Sequence, residues 1–313
     1  MLPAHNRYGY SSIESRVPFR WPNGAGLAVY FGVGVEHYAF NEGMTEDIVP
    51  GIPKPDVLNT SWREYGNRVG AWRLMDVFRE YRFPMTILLN TEVYEYCPEL
   101  TDAFRKEGYE IAAHGRTNSE KQSDLDEVEE AAHIRLVTDS ISRHEHAPPQ
   151  GWVSPWIAET AITPDLLQEA GYRYVLDWCM DDQPVWMKTR KGRILSIPCS
   201  QEINDSSAVI GRYADAVSFA DMIIDQVDEM LVSSRKQAVV LSVILHTNVI
   251  GQPFRLRQLR RALAHIKAQG ERVWVARAGD IADVIYANPE FAVGATWPGS
   301  DVPLADALQE DRL

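Results

Sequence analysis

Between residues 21 and 286, short β-rich apolar runs alternate with segments of helical period, and no Gly-, Ser- or Pro-rich linker breaks the succession. Runs at 25–35, 85–89, 109–113, 151–153, 172–176, 194–197, 238–245 and 272–276 read as strands. Apolar spacing close to 3.6 places helices at 65–81, 98–107, 124–143, 164–170, 219–232, 255–268 and 279–286, with Gly108 and Gly171 where helix C-caps belong. Seven or eight strands, most followed by a helix, imply a parallel sheet, open or closed into a barrel. A single α/β domain over residues 1–290 is expected, with 291–313 as a C-terminal tail.

The ends of these runs carry the polar chemistry. The first, AGLAVYFGVGV, is apolar throughout and stops on Glu36 and His37, and its glycines allow a backbone or ligand to come close. An acid beside an imidazole suits a base next to a metal ligand; the plain alternative is a surface Glu and a His that caps a loop. Residues 38–60 form a loop longer than connection requires, a lid candidate. His114 ends the third run, and Asn118, four positions on, has metal-ligand spacing but only a neutral amide to offer. His246 ends VVLSVIL, the most hydrophobic run, where an imidazole can donate a proton to a leaving nitrogen or simply bond a carbonyl.

Asp177, Asp181 and Asp182 crowd together beyond the fifth run, and Asp182, before Gln-Pro, is the preferred third catalytic group. Trp152, Trp156, Trp178 and Trp186 are candidate aromatic walls for a substrate, with Ser154 and Pro155 between the first two. The backbone N–H groups of 154–156 are candidate oxyanion donors. Polar clusters after so many different strands favour a nearly closed barrel over an open sheet, which gathers its site at one switch point.

A formal charge of −13 with scattered Lys and Arg argues against a nucleic-acid partner. Cys97, Cys179 and Cys199 are odd in number and lack CxxC spacing, so neither a disulfide framework nor a thiolate zinc site is indicated. The first 21 residues lack a signal-peptide core and no run of 18 apolar residues occurs, so a cytoplasmic protein without membrane contact is expected.

Five pieces in order carry a family resemblance: residues 7–10 (RYGY) with 21–24 (WPNG), 65–73 (YGNRVGAWR), Ala113-His114-Gly115, Asp181 to Pro184 (DDQP), and Leu245-His246. From about residue 7 to 286 the chain resembles the polysaccharide deacetylases of NodB-type fold, a distorted (β/α)7 barrel. Within them it looks most similar to the allantoinase-like, cyclic amide hydrolase branch, which is metal-independent. The resemblance puts Glu36 in the place of the catalytic base and His37 in that of a metal-binding acid. His114 and Asn118 stand where a zinc-binding His-x-x-x-His pair belongs, Val153-Ser154-Pro155 keeps only the Pro of an Arg-containing motif, and His246 takes the place of the catalytic acid. It therefore implies either a weakly held divalent metal, zinc, on His37 and His114, or no metal, and it implies a homo-oligomer, a tetramer. The expected activity is hydrolysis of a non-peptide C–N bond in a small amide, imide or ureide, with N-deacetylation of chitin-like or peptidoglycan sugars and an inactive ligand-binding barrel as the alternatives.

Overall fold

The computed structural model describes residues 5–296. Its single sheet contains β1 (Leu27–Val35), β2 (Thr86–Leu89), β3 (Glu110–Ala113), β4 (Gly151–Trp152), β5 (Tyr174–Val175), β6 (Val185–Lys188), β7 (Arg193–Ser196), β8 (Val239–His246), β9 (Val273–Ala276) and β10 (Val293–Gly294). The order is β10-β6-β7-β5-β4-β3-β2-β1-β8, all pairs parallel except the β6–β7 hairpin. β1 is the spine. One edge pairs with β8 from Leu27↔Val239 to Gly34↔His246, and the other serves β9 at its start and β2 at its end.

The curl is finished by irregular chain. On the free edge of β8, Val240 donates to the Asp182 carbonyl at 2.8 Å and Ile244 to that of Ile203 at 2.9 Å, so loops after β5 and β7 take the place of a closing ladder and the barrel is distorted.

Pleating divides β1 between two cores. Val29, Phe31, Val33 and Val35 pack outward under the helices, with Phe78, Met75 and Ile134, whereas Ala28 and Tyr30 face the barrel interior with Leu88, Val153, Tyr174 and Ile244. Both faces are buried, which is why the run reads as uniformly apolar. Register then aligns the chemistry: Val35 pairs with Leu89 and Leu89 with Ala113, so Glu36, Asn90 and His114 leave the sheet side by side, next to His246.

Three segments differ from expectation. β6 was hidden because it joins β7 through a tight turn, Thr189 N–H to the Gly192 carbonyl at 3.0 Å, with no helix between. The expected lid, residues 38–60, ends in the helix Val57–Tyr65, capped by Asp56, which accepts the Asn59 N–H at 2.9 Å. What remains of it is pinned as a wall: Arg63 bonds Asp47 at 2.7 Å and the Thr45 carbonyl at 3.1 Å, and Met44 donates to the Asn118 carbonyl at 3.0 Å. The expected break at residue 290 is not where packing ends. Phe291 stacks on Phe19 with ring centroids 4.4 Å apart, and β10 extends the sheet from β6; the rest of that tail lies outside the described residues.

Candidate active site

Glu36 continues the inward stripe of β1 and is buried at the mouth of the barrel. Its Oε1 lies 3.4 Å from His114 Nε2 and 3.6 Å from His246 Nε2, while Oε2 accepts the Tyr38 hydroxyl. Each imidazole is held from behind. His114 Nδ1 donates to the Val153 carbonyl at 2.9 Å, which leaves Nε2 turned on Glu36, where it donates when it too carries a proton. His246 Nδ1 bonds Asp205 Oδ1 at 2.7 Å, and the same carboxylate accepts the His246 backbone N–H at 3.0 Å. Asp205 is 0% exposed.

Charge is balanced inside this cluster. Burial pushes Glu36 up, but the His246 charge and the hydrogen bonds of His114 and Tyr38 outweigh it and hold the carboxyl at about 2. Burial pushes His246 down, yet the charge of Glu36 and the bond to Asp205 carry it up to about 9. The resting state is therefore a carboxylate facing an imidazolium. Tyr38, raised well above 10 by burial and the Glu36 charge, remains a donor.

The group opens into a cavity of about 330 Å³ whose lining includes Leu88, Asn118, Ser154, Trp156, Asp177 and Ile244. Gly34 forms part of its floor. A Cβ there would stand 3.0 Å from His246 Cδ2 and 3.4 Å from Glu36 Oε1, so Gly34→Ala presses on both. We expect kcat to fall at least about tenfold in Gly34→Ala with the melting temperature little changed, because sub-ångström displacement of paired acid and base is costly to catalysis; steady-state kinetics and a thermal melt check it.

Of the residues singled out from sequence, Glu36, His114, His246, Asn118, Ser154, Trp156 and Asp177 meet at this cavity. His37, Asp182, Trp152, Trp178, Trp186 and Pro155 do not. His37 follows the opposite face of the pleat, bonds Thr117 Oγ1 at 3.1 Å and sits edge-on to Tyr96. Asp182 lines a separate surface cleft with Tyr8 and Arg16, and the carboxylate in contact with His246 is that of Asp205. Trp152 is fully buried in the outer core and donates to Ser154 Oγ at 3.0 Å. Trp178 turns away, against Tyr8 and His5. Pro155 packs beneath Gly115, where a Cβ would come within 2.6 Å of it.

The expected oxyanion donors at 154–156 are largely spent as well. The Ser154 N–H and hydroxyl both donate to Asp177, each at 2.7 Å, and Pro155 has no N–H. Asp177 is raised by burial, and Glu159 beside it is pushed up to about 10 by burial and by the Asp177 charge, so the two acids together carry at most one negative charge.

A metal does not fit the donors present. His37 faces elsewhere, the side-chain Oδ1 of Asn118 accepts from Asn90 Nδ2 at 3.0 Å, and among the described residues no three His, Cys, Asp or Glu are grouped to hold an ion.

The polysaccharide deacetylase family model matches residues 64–175, which contain His114 and the strands on either side of it. Over those residues the chain carries a polysaccharide deacetylase domain. Members of that family are hydrolases of non-peptide C–N bonds, and the curled sheet of this deacetylase domain is the NodB-type one expected from the sequence. A Schizosaccharomyces pombe protein named for polysaccharide deacetylation is 25% identical over 302 residues, covering 87% of this chain and 93% of its own. A Helicobacter pylori peptidoglycan deacetylase is 24% identical over 273 residues, covering 76% and 91%. The crystal structure of PuuE allantoinase superposes with a TM-score of 0.78 at 26% identity, covering 86% of this chain and 93% of that one. Among the described residues of this deacetylase domain, no helix is long and apolar enough to cross a membrane.

Proposed function

We propose that this deacetylase domain hydrolyses the C–N bond of a compact, uncharged amide, imide or ureide without a metal. The observation that carries the reading is the Glu36–His246 pair, backed by Asp205 and facing one cavity. Glu36 takes a proton from water as the water oxygen bonds to the carbonyl carbon, and His246 Nε2 gives its proton to the nitrogen as the C–N bond breaks. Turnover leaves Glu36 protonated and His246 neutral; shortening of their 3.6 Å separation to hydrogen-bond length lets the proton return and resets the pair.

The cavity supports a small substrate. About 330 Å³ is at the lower end for a ligand site, and among the described residues its lining includes Glu36, Glu46 and Asp177 but no Lys or Arg, which disfavours an anion. A sugar N-deacetylase is the second reading. It is favoured by the two relatives named for deacetylation and by Trp156, 46% exposed at the mouth, where an indole can stack on a pyranose face. A cytoplasmic setting and a homo-oligomer, a tetramer, complete the proposal; free thiols at Cys97, Cys179 and Cys199 suit a reducing compartment.

The deciding experiment is a hydrolysis panel of hydantoin, allantoin, glutarimide and N-acetylglucosamine oligomers, with and without chelator. Turnover of a small amide, unchanged within about twofold by EDTA, is the expected result. Activity on the oligomers alone would establish the second reading, and chelator-sensitive turnover would refute the metal-free one.

A further inference from the structure

Asn118 is 1% exposed and lines the cavity, yet among the described residues its side-chain Nδ2 has no hydrogen-bond partner. A buried amide nitrogen left unpaired costs stability, so its orientation must be imposed. It is, through a relay in which each step has one solution. The His37 backbone N–H can only donate, and it donates to Asn90 Oδ1 at 2.9 Å. That fixes the Asn90 amide, whose Nδ2 donates to the His114 carbonyl, which can only accept, and to Asn118 Oδ1 at 3.0 Å. The NH2 edge of Asn118 is therefore turned away from Asn90, on a side chain that lines the cavity. Its backbone is clamped too, its N–H on the His37 carbonyl at 2.9 Å and its carbonyl on Met44 at 3.0 Å.

We infer that Asn118 is the oxyanion donor of this site: its Nδ2–H binds the carbonyl oxygen of the scissile amide and stabilises the negative charge that develops there when water adds. The inference rests on the reading of Glu36 and His246 as base and acid. It supplies what that reading lacked, because the N–H of Ser154 is occupied by Asp177 and no metal fits to polarise the carbonyl. Asn118 lines the same cavity as Glu36 and His114, so all three face one bound molecule. A neutral donor held by a fully buried Asn90 needs no reorganisation as charge appears, which is what makes such donors effective.

The test uses Asn118→Asp, which keeps shape and the acceptor for Asn90 but replaces the donor edge with an acceptor, and Asn118→Ser as a second variant. Two readouts are needed. In the first, 2-imidazolidinone, a cyclic urea that presents a carbonyl oxygen, is titrated into the wild-type protein while side-chain amide NMR resonances are followed; the Asn118 resonance, assigned by its loss in Asn118→Asp, should shift on binding. In the second, kcat on any amide turned over should fall about 10²- to 10³-fold in both variants with KM changed less than about threefold. Ligand that moves the His246 ring resonance but leaves Asn118 in place overturns the inference, as does a kcat retained within threefold or the absence of any shift in either residue. If the wild type hydrolyses nothing in the panel while the Asn118 resonance still responds, the hydrolase reading fails and the carbonyl-binding role stands.

Discussion

Glu36→Gln reduces kcat by about 10³-fold or more with KM little affected, since positioned acid–base groups contribute about 10²- to 10⁴-fold and, among the described residues, no other carboxylate shares the contacts of Glu36 with both imidazoles. The substitution is isosteric and leaves Tyr38 an oxygen to donate to. Its second signature is in the pH profile. The wild-type plateau runs from the Glu36 titration near 2 on the acid side to that of His246 near 9 on the alkaline side. Removing the Glu36 charge removes the first force that raises His246, so the alkaline limb of the residual activity moves to lower pH. Stability follows the same linkage. His246 is raised from 6.5, so its contribution is fully present below 6.5 and is lost as pH rises through about 9. Glu36 is lowered from 4.5, so its contribution is present above 4.5 and is lost as pH falls through about 2. Thermal melts at pH 7 and pH 10 should accordingly differ more for the wild type than for Glu36→Gln. Equal kcat in the two proteins would remove the basis of the proposed chemistry.

Asp205→Asn is expected to cost about 10²- to 10³-fold in kcat, by a different route. Asp205 touches no part of the cavity; it accepts from both the ring Nδ1 and the backbone N–H of His246 and gives the imidazolium a buried counter-charge. With Asn in its place the ring keeps a neighbour of the same size but loses that charge, so less of it is protonated at neutral pH and the imidazolium formed on return of the proton is less stable. The measurement is kcat as a function of pH. A positioning role through His246 predicts an alkaline limb displaced to lower pH and partial recovery of rate in acid; a merely structural role predicts a uniform loss at every pH, accompanied by a lower melting temperature.

Strand ends were legible because a parallel strand buried on both faces leaves no ambiguity about where apolar residues stop. Glu36, His114 and His246 are each the first ionisable residue past such a run, and all three meet. The same rule applied to the fifth run would have chosen Asp177, which follows residue 176 directly and lines the cavity, ahead of Asp182. Pleat parity would also have separated Glu36 from His37: Ala28, Tyr30, Gly32 and Gly34 share the inward face with Glu36, whereas Val33 and Val35 share the outward face with His37. Trp152 follows the same logic, adjacent to inward Val153 and hence outward.

Asp205 gave no comparable signal. It is the N-cap of a short helical segment, Ser206–Gly211, nine residues beyond the last residue of β7 at Ser196, and only the chain that fills the gap beside β8 brings it to His246. Asn118 was visible as a position but not as a donor, because an amide's two edges are chemically opposite and its partners decide which edge it shows.

The order of the units, the uniform burial of β1 and β8 and the identity of the groups at their ends were determined by the sequence itself, since hydrophobic period and strand termination are local properties of the chain. The tertiary structure alone decided which carboxylate backs His246, which way Asn118 faces and that His37 is withheld from the site. Those outcomes depend on strand register and on hydrogen-bond partners far apart in the chain, and no local pattern encodes a contact between residues 90 and 118 or 205 and 246.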